Sequence, residues 1–77
     1  MTIKYFGEIA DVTNKTNELV VLKELTLSEL KTFLSTNYKL NLEDIHIAIN
    51  HTIISKDEER TLSLTDEIAI LSPFAGG

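Results

Sequence analysis

Residues 26–38 carry the one strong helical pattern in this chain, and the rest must fold so as to cover its apolar stripe. Thr26-Leu27-Ser28-Glu29 has the form of a capping box, in which the threonine hydroxyl and the glutamate carboxylate reciprocally satisfy N–H groups left open at a helix start. Leu25 before the cap and Leu30 after it stand at the positions of a hydrophobic staple. Leu27, Leu30, Phe33 and Leu34 then recur at helical spacing, and the pattern fades near Asn37 and Tyr38.

What flanks this helix is patterned as strands. Residues 2–6 place Ile3 and Tyr5 on one face, and residues 18–22 hold the run Leu19, Val20, Val21, Leu22. Ile45, Ile47 and Ile49 alternate with His46, Ala48 and Asn50, which predicts a third strand with one fully apolar face. Ile53 and Ile54 predict a short fourth strand after a turn at Asn50-His51-Thr52. Residues 67–71 predict a last strand, with Ile68 and Ile70 on one face. Residues 8–16 are mixed and polar and read as an irregular connection with room for a helical turn, and the charge run at 56–60 reads as an exposed loop. Two strands, one helix and three trailing strands predict an α+β fold of the β-grasp kind, a mixed sheet curled around one main helix. Pairing of the first strand with the last is part of that expectation, although periodicity does not dictate it.

Seventy-seven residues make one domain with a small core, too small for a deep cleft with its own supporting shell. A carrier, a binding module or a subunit fits that size better than a stand-alone enzyme. The net charge of −5 opposes non-specific nucleic-acid binding and favours a partner protein with a basic site. Cysteine is absent, so the chain has no disulfide, thiolate ligand or cysteine nucleophile. His46 and His51 show no metal-ligand spacing, read as surface histidines, and no metal site is expected. No Gly-x-Ser-x-Gly turn supports serine catalysis. Apolar runs are too short for a membrane span, no basic start precedes an apolar stretch, and the expected compartment is the cytoplasm.

The chemistry concentrates in Ser72-Pro73-Phe74-Ala75-Gly76-Gly77. At an average glycine usage of about 7%, two glycines in the final two positions arise by chance in about 0.5% of chains. Glycine lacks Cβ, so its backbone passes through a channel too narrow for other residues. Pro73 fixes its own φ and stiffens the point where the tail leaves the sheet. Residues 73–77 reach on the order of 15 Å when extended, enough to enter a neighbouring protein's active site. The expected organisation is a β-grasp domain over 1–72 and an extended Gly-Gly tail over 73–77.

Tyr5-Phe6-Gly7, the helix start at 26–30, Ala48-Ile49-Asn50 and Leu62 followed by Asp66-Glu67-Ile68-Ala69 resemble the small subunit of molybdopterin synthase. The tail resembles that family's Pro-Pro-Val-x-Gly-Gly ending, with Ser72 in place of the first proline and Phe74 in place of valine. Leu64-Thr65 stand where the family often has Asp-Gly. The resemblance implies a ubiquitin-like sulfur carrier with no permanently bound cofactor. In that family an activating enzyme related to ubiquitin-activating enzymes uses ATP to adenylate the terminal glycine, here Gly77. A sulfur donor protein then displaces AMP and leaves a C-terminal thiocarboxylate.

The resemblance further implies a large-subunit partner, two small and two large subunits forming a heterotetramer that builds the molybdopterin dithiolene from cyclic pyranopterin monophosphate. It implies that Pro73, Phe74, Ala75 and Gly76 insert into that partner, and that Phe6, Leu62 and Phe74 form the apolar contact. Phe6 shares a strand face with Lys4, and Phe6 and Leu62 are equally readable as core. The chain has no thiol, so sulfur carried by it must sit on the carbonyl carbon of Gly77. Competing readings are the sulfur carrier of the thiamine pathway and a ubiquitin-like protein modifier.

Overall fold

A computed structural model describes residues 1–55 and 57–72. In chain order it contains β1 (Thr2–Tyr5), α1 (Glu8–Thr13), β2 (Asn17–Leu19), α2 (Leu27–Tyr38), a 3-10 turn (Leu42–Asp44), β3 (His46–Ile49), β4 (Thr52–Ile53) and β5 (Glu67–Leu71). Helix α2 starts as its sequence predicts, with the Thr26 side chain accepting from the Glu29 N–H at 3.1 Å. The reciprocal half of the box is replaced, because the Thr26 N–H donates to the Glu24 carbonyl at 2.9 Å. Lys39, in the left-handed region at φ 54°, ends the helix and donates its N–H to the Ser35 carbonyl. Leu27, Leu30 and Leu34 are fully buried and Phe33 packs partly against them.

The five strands form one sheet in the order β2-β1-β5-β3-β4. The fold is therefore the expected α+β β-grasp arrangement. Strand β5 lies at the centre, parallel to β1 (Tyr5 opposite Ile70) and antiparallel to β3 (Ile47 opposite Ile70). Strand alternation sends Ile3, Tyr5, Ile47, Ile49, Ile68 and Ile70 to the face that packs on α2. The hairpin between β3 and β4 turns on Asn50 (φ 51°) and His51 (φ 72°), two consecutive left-handed residues whose twist matches the flanking strands.

Two local expectations need correction. Residues 8–13 form a true short helix, not an irregular connection. Gly7, at φ 56° and ψ −131°, makes the turn out of β1, and Asn14 in the left-handed region closes the helix. Ile9 and Thr13, one helical turn apart, are buried, and the Thr13 hydroxyl is satisfied by the Ile9 carbonyl at 3.0 Å. The second strand is shorter than predicted, ending at Leu19. Beyond it, Met1 and Val20 still exchange backbone hydrogen bonds, and the alternation continues through buried Leu22. Within the charge run, Asp57, Glu59 and Arg60 are exposed as expected, while Glu58 is half-buried and pairs with Arg60.

Candidate partner-docking face

On the face of the sheet turned away from α2, Phe6 and Leu71 lie side by side at the end of β5. Phe6 follows β1, and its N–H donates to the Ile70 carbonyl at 3.1 Å, which places it beside Leu71, the last residue of β5. Its own carbonyl accepts from the Ile9 N–H at 3.1 Å, so the backbone is held from both sides. Phe6 is 43% exposed, which excludes it from the core. Leu71 lies opposite His46, Ala69 lies between Lys4 and Ala48, and Ala48 lies opposite Ile53, itself 59% exposed. The register thus draws an apolar row from exposed Phe6 through half-buried Leu71 and Ala69 and buried Ala48 to exposed Ile53. The short alanines make its floor, and the larger side chains stand at its two ends. Such a patch, rimmed by charge, is the form of a protein-docking surface.

Polar groups fix the start of β5 and so the register of this face. Lys4 pairs with Glu67, whose other oxygen lies 3.4 Å from His51 Nε2. The Lys4 ammonium holds the Glu67 carboxyl below its ordinary value, with a smaller contribution from His51. Asn50 accepts from the Glu67 N–H at 3.0 Å and donates its side-chain amide to Asp66 at 2.9 Å. The Ser63 N–H, 2.8 Å from the Asp66 carboxylate, is the main cause of that carboxyl's lowered pKa. These contacts close the turn through Leu64 and Thr65 with no glycine in it. Buried Ser72 is the last described residue.

Leu62 belongs elsewhere. It is 4% exposed, its N–H donates to the Leu25 carbonyl at 2.7 Å, and it packs in the core below the start of α2. Its expected place in an apolar partner contact is corrected to a core position, because the Thr26–Thr61 bridge draws this segment against the helix entrance. The expected tail residues Pro73, Phe74, Ala75, Gly76 and Gly77 lie outside the described residues, as does Lys56. Among the described residues, no group of three His, Cys, Asp or Glu side chains is placed to hold a metal ion. No described helix is long and apolar enough to cross a membrane.

Behind this strip lies a network that sequence periodicity does not reveal. Tyr5 and Tyr38 both donate their hydroxyls to one oxygen of Glu18, Tyr5 at 2.7 Å. Lys15 Nζ reaches the Tyr38 hydroxyl at 3.0 Å and the other Glu18 oxygen at 3.4 Å. Burial, reinforced by the Glu18 carboxylate, pushes the Tyr5 phenol far up. Burial also pushes Glu18 up, but the two tyrosine hydroxyls and Lys15 outweigh it and leave the carboxyl below its ordinary value. The network ties β1, β2 and the end of α2 together one residue before Phe6. Its signal in the sequence is an acidic residue at the inward phase of an otherwise apolar strand, since Glu18 shares phase with Val20 and Leu22.

Residues 3–77 match the ThiS family over nearly the whole chain. The chain belongs to the ThiS family. It is a ubiquitin-like sulfur carrier of that family. Three solved structures similar to it show the same fold at low identity. The crystal structure of small archaeal modifier protein 1 from Haloferax volcanii is 19% identical, with a TM-score of 0.72 over 100% of this chain and 98% of that one. The solution structure of the protein of that name from Methanosarcina acetivorans is 22% identical, with a TM-score of 0.71 over 99% and 94%. A putative molybdopterin converting factor, subunit 1, from Pyrococcus furiosus is 18% identical, with a TM-score of 0.68 over 94% of each chain.

Proposed function

We propose that this ThiS-family chain is the small subunit of molybdopterin synthase, carrying sulfur as a thiocarboxylate on Gly77. The observation that carries the reading is the apolar strip at Phe6 and Leu71, set at the end of the central strand that leads into the Pro73–Gly77 tail. In this scheme the Gly77 carboxylate attacks the α-phosphate of ATP on an activating enzyme and releases pyrophosphate. A sulfur donor protein then supplies sulfur at the hydrosulfide level, which displaces AMP and leaves the thiocarboxylate. On the large subunit the thiocarboxylate sulfur bonds to a carbon of cyclic pyranopterin monophosphate as an oxygen leaving group departs from it. Water then cleaves the acyl–sulfur bond, which leaves the sulfur on the pterin and restores the Gly77 carboxylate. The small domain contributes a positioned reactant, while the partners supply acid–base and phosphate-binding groups.

The assay is conversion of pyranopterin by chemically thiocarboxylated chain plus the large subunit. Intact mass after incubation with ATP, activating enzyme and sulfur donor reads the loading step. Removing Gly77 shifts the carboxylate by roughly 3.5 Å, and an error of about 1 Å can cost a hundredfold in rate. Loading and conversion should therefore both fall at least a hundredfold in the Gly77 deletion. Gly76→Ala keeps the length and tests whether the tail runs through a narrow channel. Normal loading and conversion by the deletion would refute the carrier reading at Gly77. The second reading, a protein modifier, is favoured by the likeness to small archaeal modifier protein 1 from two species. An isopeptide-linked remnant of this chain on protein lysines would select it. Consumption of the sulfur by a thiazole-forming enzyme would select the thiamine pathway.

A further inference from the structure

Between α2 and the β3–β4 hairpin lies a cavity of about 150 Å³. Leu42, Ile45, Ile47 and Ile54 give it apolar walls, and polar side chains, Lys31 and Glu43 among them, complete it. Ile45 and Ile47 are buried, while Leu42 and Ile54 are half-buried. The Ile54 N–H donates to the Ile47 carbonyl at 3.0 Å, so these two walls belong to one hydrogen-bonded unit. A void of about 150 Å³ with aliphatic walls has the size that takes a benzene ring. Among the described residues, no aromatic side chain lines it.

The end of β5 runs beside this cavity. Leu71 lies opposite His46, so the next step along the antiparallel pairing sets Ser72 beside Ile45. Both are 4% exposed. Ile68, Ile70 and Ser72 alternate along the side of the sheet that faces α2, and position 74 has the same phase. A residue before proline is restricted to extended backbone, and the fixed φ of Pro73 suits an extended chain. Carried on, the register that pairs Leu71 with His46 brings position 74 across from Glu43, on the cavity wall.

We propose that this cavity is a docking site for the chain's own tail, which it holds by the phenyl ring of Phe74. Phe74 stands two residues past buried Ser72, a reach of about 7 Å. The size of the ring, the side of the sheet and the length of chain all select it. A second copy of this chain is the poorer occupant. A short tether holds the ring at an effective concentration of about millimolar, above that of a second chain in micromolar solution. Two copies each carrying −5 also repel.

Docking and delivery exclude each other. Residues 73–77 reach on the order of 15 Å when extended, so a tail held at the cavity cannot also enter a partner's site. The cavity thus keeps the tail in the isolated protein and yields it to a partner that offers Phe74 a better apolar contact. The apparent affinity for that partner falls in proportion to the released fraction. The docking itself does not depend on which partner receives Gly77.

The test uses the full chain, isotopically labelled, with no partner present. Through-space NMR contacts should join the Phe74 ring protons to methyl groups of Leu42, Ile45 or Ile54. Those methyl signals should lie upfield of their positions in Phe74→Ala, which removes the ring without touching the cavity walls. Ile54→Phe puts a ring into the cavity and should abolish the contacts while melting within a few degrees of the parent. Added toluene reads the cavity directly. With about nine-tenths of tails docked, Phe74→Ala should bind toluene about tenfold more tightly than the parent. The proposal is overturned by the absence of Phe74 contacts to the cavity methyls, by contacts that survive Ile54→Phe, or by equal toluene binding in parent and Phe74→Ala. It is also overturned by contacts found only between labelled and unlabelled chains, which would assign the cavity to the tail of a second copy.

Discussion

Phe6→Ala tests the docking face most directly. Phe6 is 43% exposed, and a phenylalanine buries about 200 Å² when fully enclosed, so roughly 85 Å² remains for a partner to cover. At about 25 cal/mol per Å² that area contributes about 2 kcal/mol, the size of an aromatic hot spot. Binding of the proposed large-subunit partner, measured by titration calorimetry, should weaken about thirtyfold. The other half of the ring packs on the domain, so the variant will also melt lower, and titrations belong well below its melting temperature. Val21→Ala is the control: it removes apolar surface from the β2 edge, six residues along from Phe6 in the β1 register, and should leave this affinity unchanged. An affinity for Phe6→Ala within twofold of the parent would refute the assignment, and so would an equal loss in Val21→Ala.

Other expectations concern the scaffold. Glu18→Gln weakens two tyrosine hydrogen bonds to a carboxylate, at about 1 kcal/mol each, so urea denaturation at pH 7 should show a loss of about 2 kcal/mol. Because the Glu18 carboxyl is depressed in the folded state, its stabilisation is complete above the ordinary value of 4.5 and is lost as pH falls through the lower folded value. The gap between parent and variant should therefore close in acid, and a pH-independent gap would contradict the network. His51→Gly relieves a left-handed non-glycine residue in the β3–β4 turn and should raise stability by about 0.5–1 kcal/mol, read as a higher melting temperature. Thr26→Ala removes the α2 cap and should cost about 1 kcal/mol in denaturation while leaving thiocarboxylate loading intact.

Elements whose signals are local can be read directly from the residues. The Thr26 cap and the Leu27, Leu30, Leu34 stripe specify α2, because capping and helical phase act within a few residues. Alternation specifies β3 and β5 and assigns their inward isoleucines correctly. Helix α1 was hidden because six residues are too few for a helical period to show, and its two core contacts, Ile9 and Thr13, become visible only when the sheet is present. Tertiary structure alone decided what brings distant residues together. The parallel pairing of β1 with β5 joins the two ends of the described chain, and no local pattern encodes a contact between segments that far apart. That pairing places Phe6 beside Leu71 and so assembles the apolar row proposed as the docking face. The same packing sends Leu62 into the core and closes two tyrosines over Glu18, since burial is a property of the assembled layers and not of any one segment.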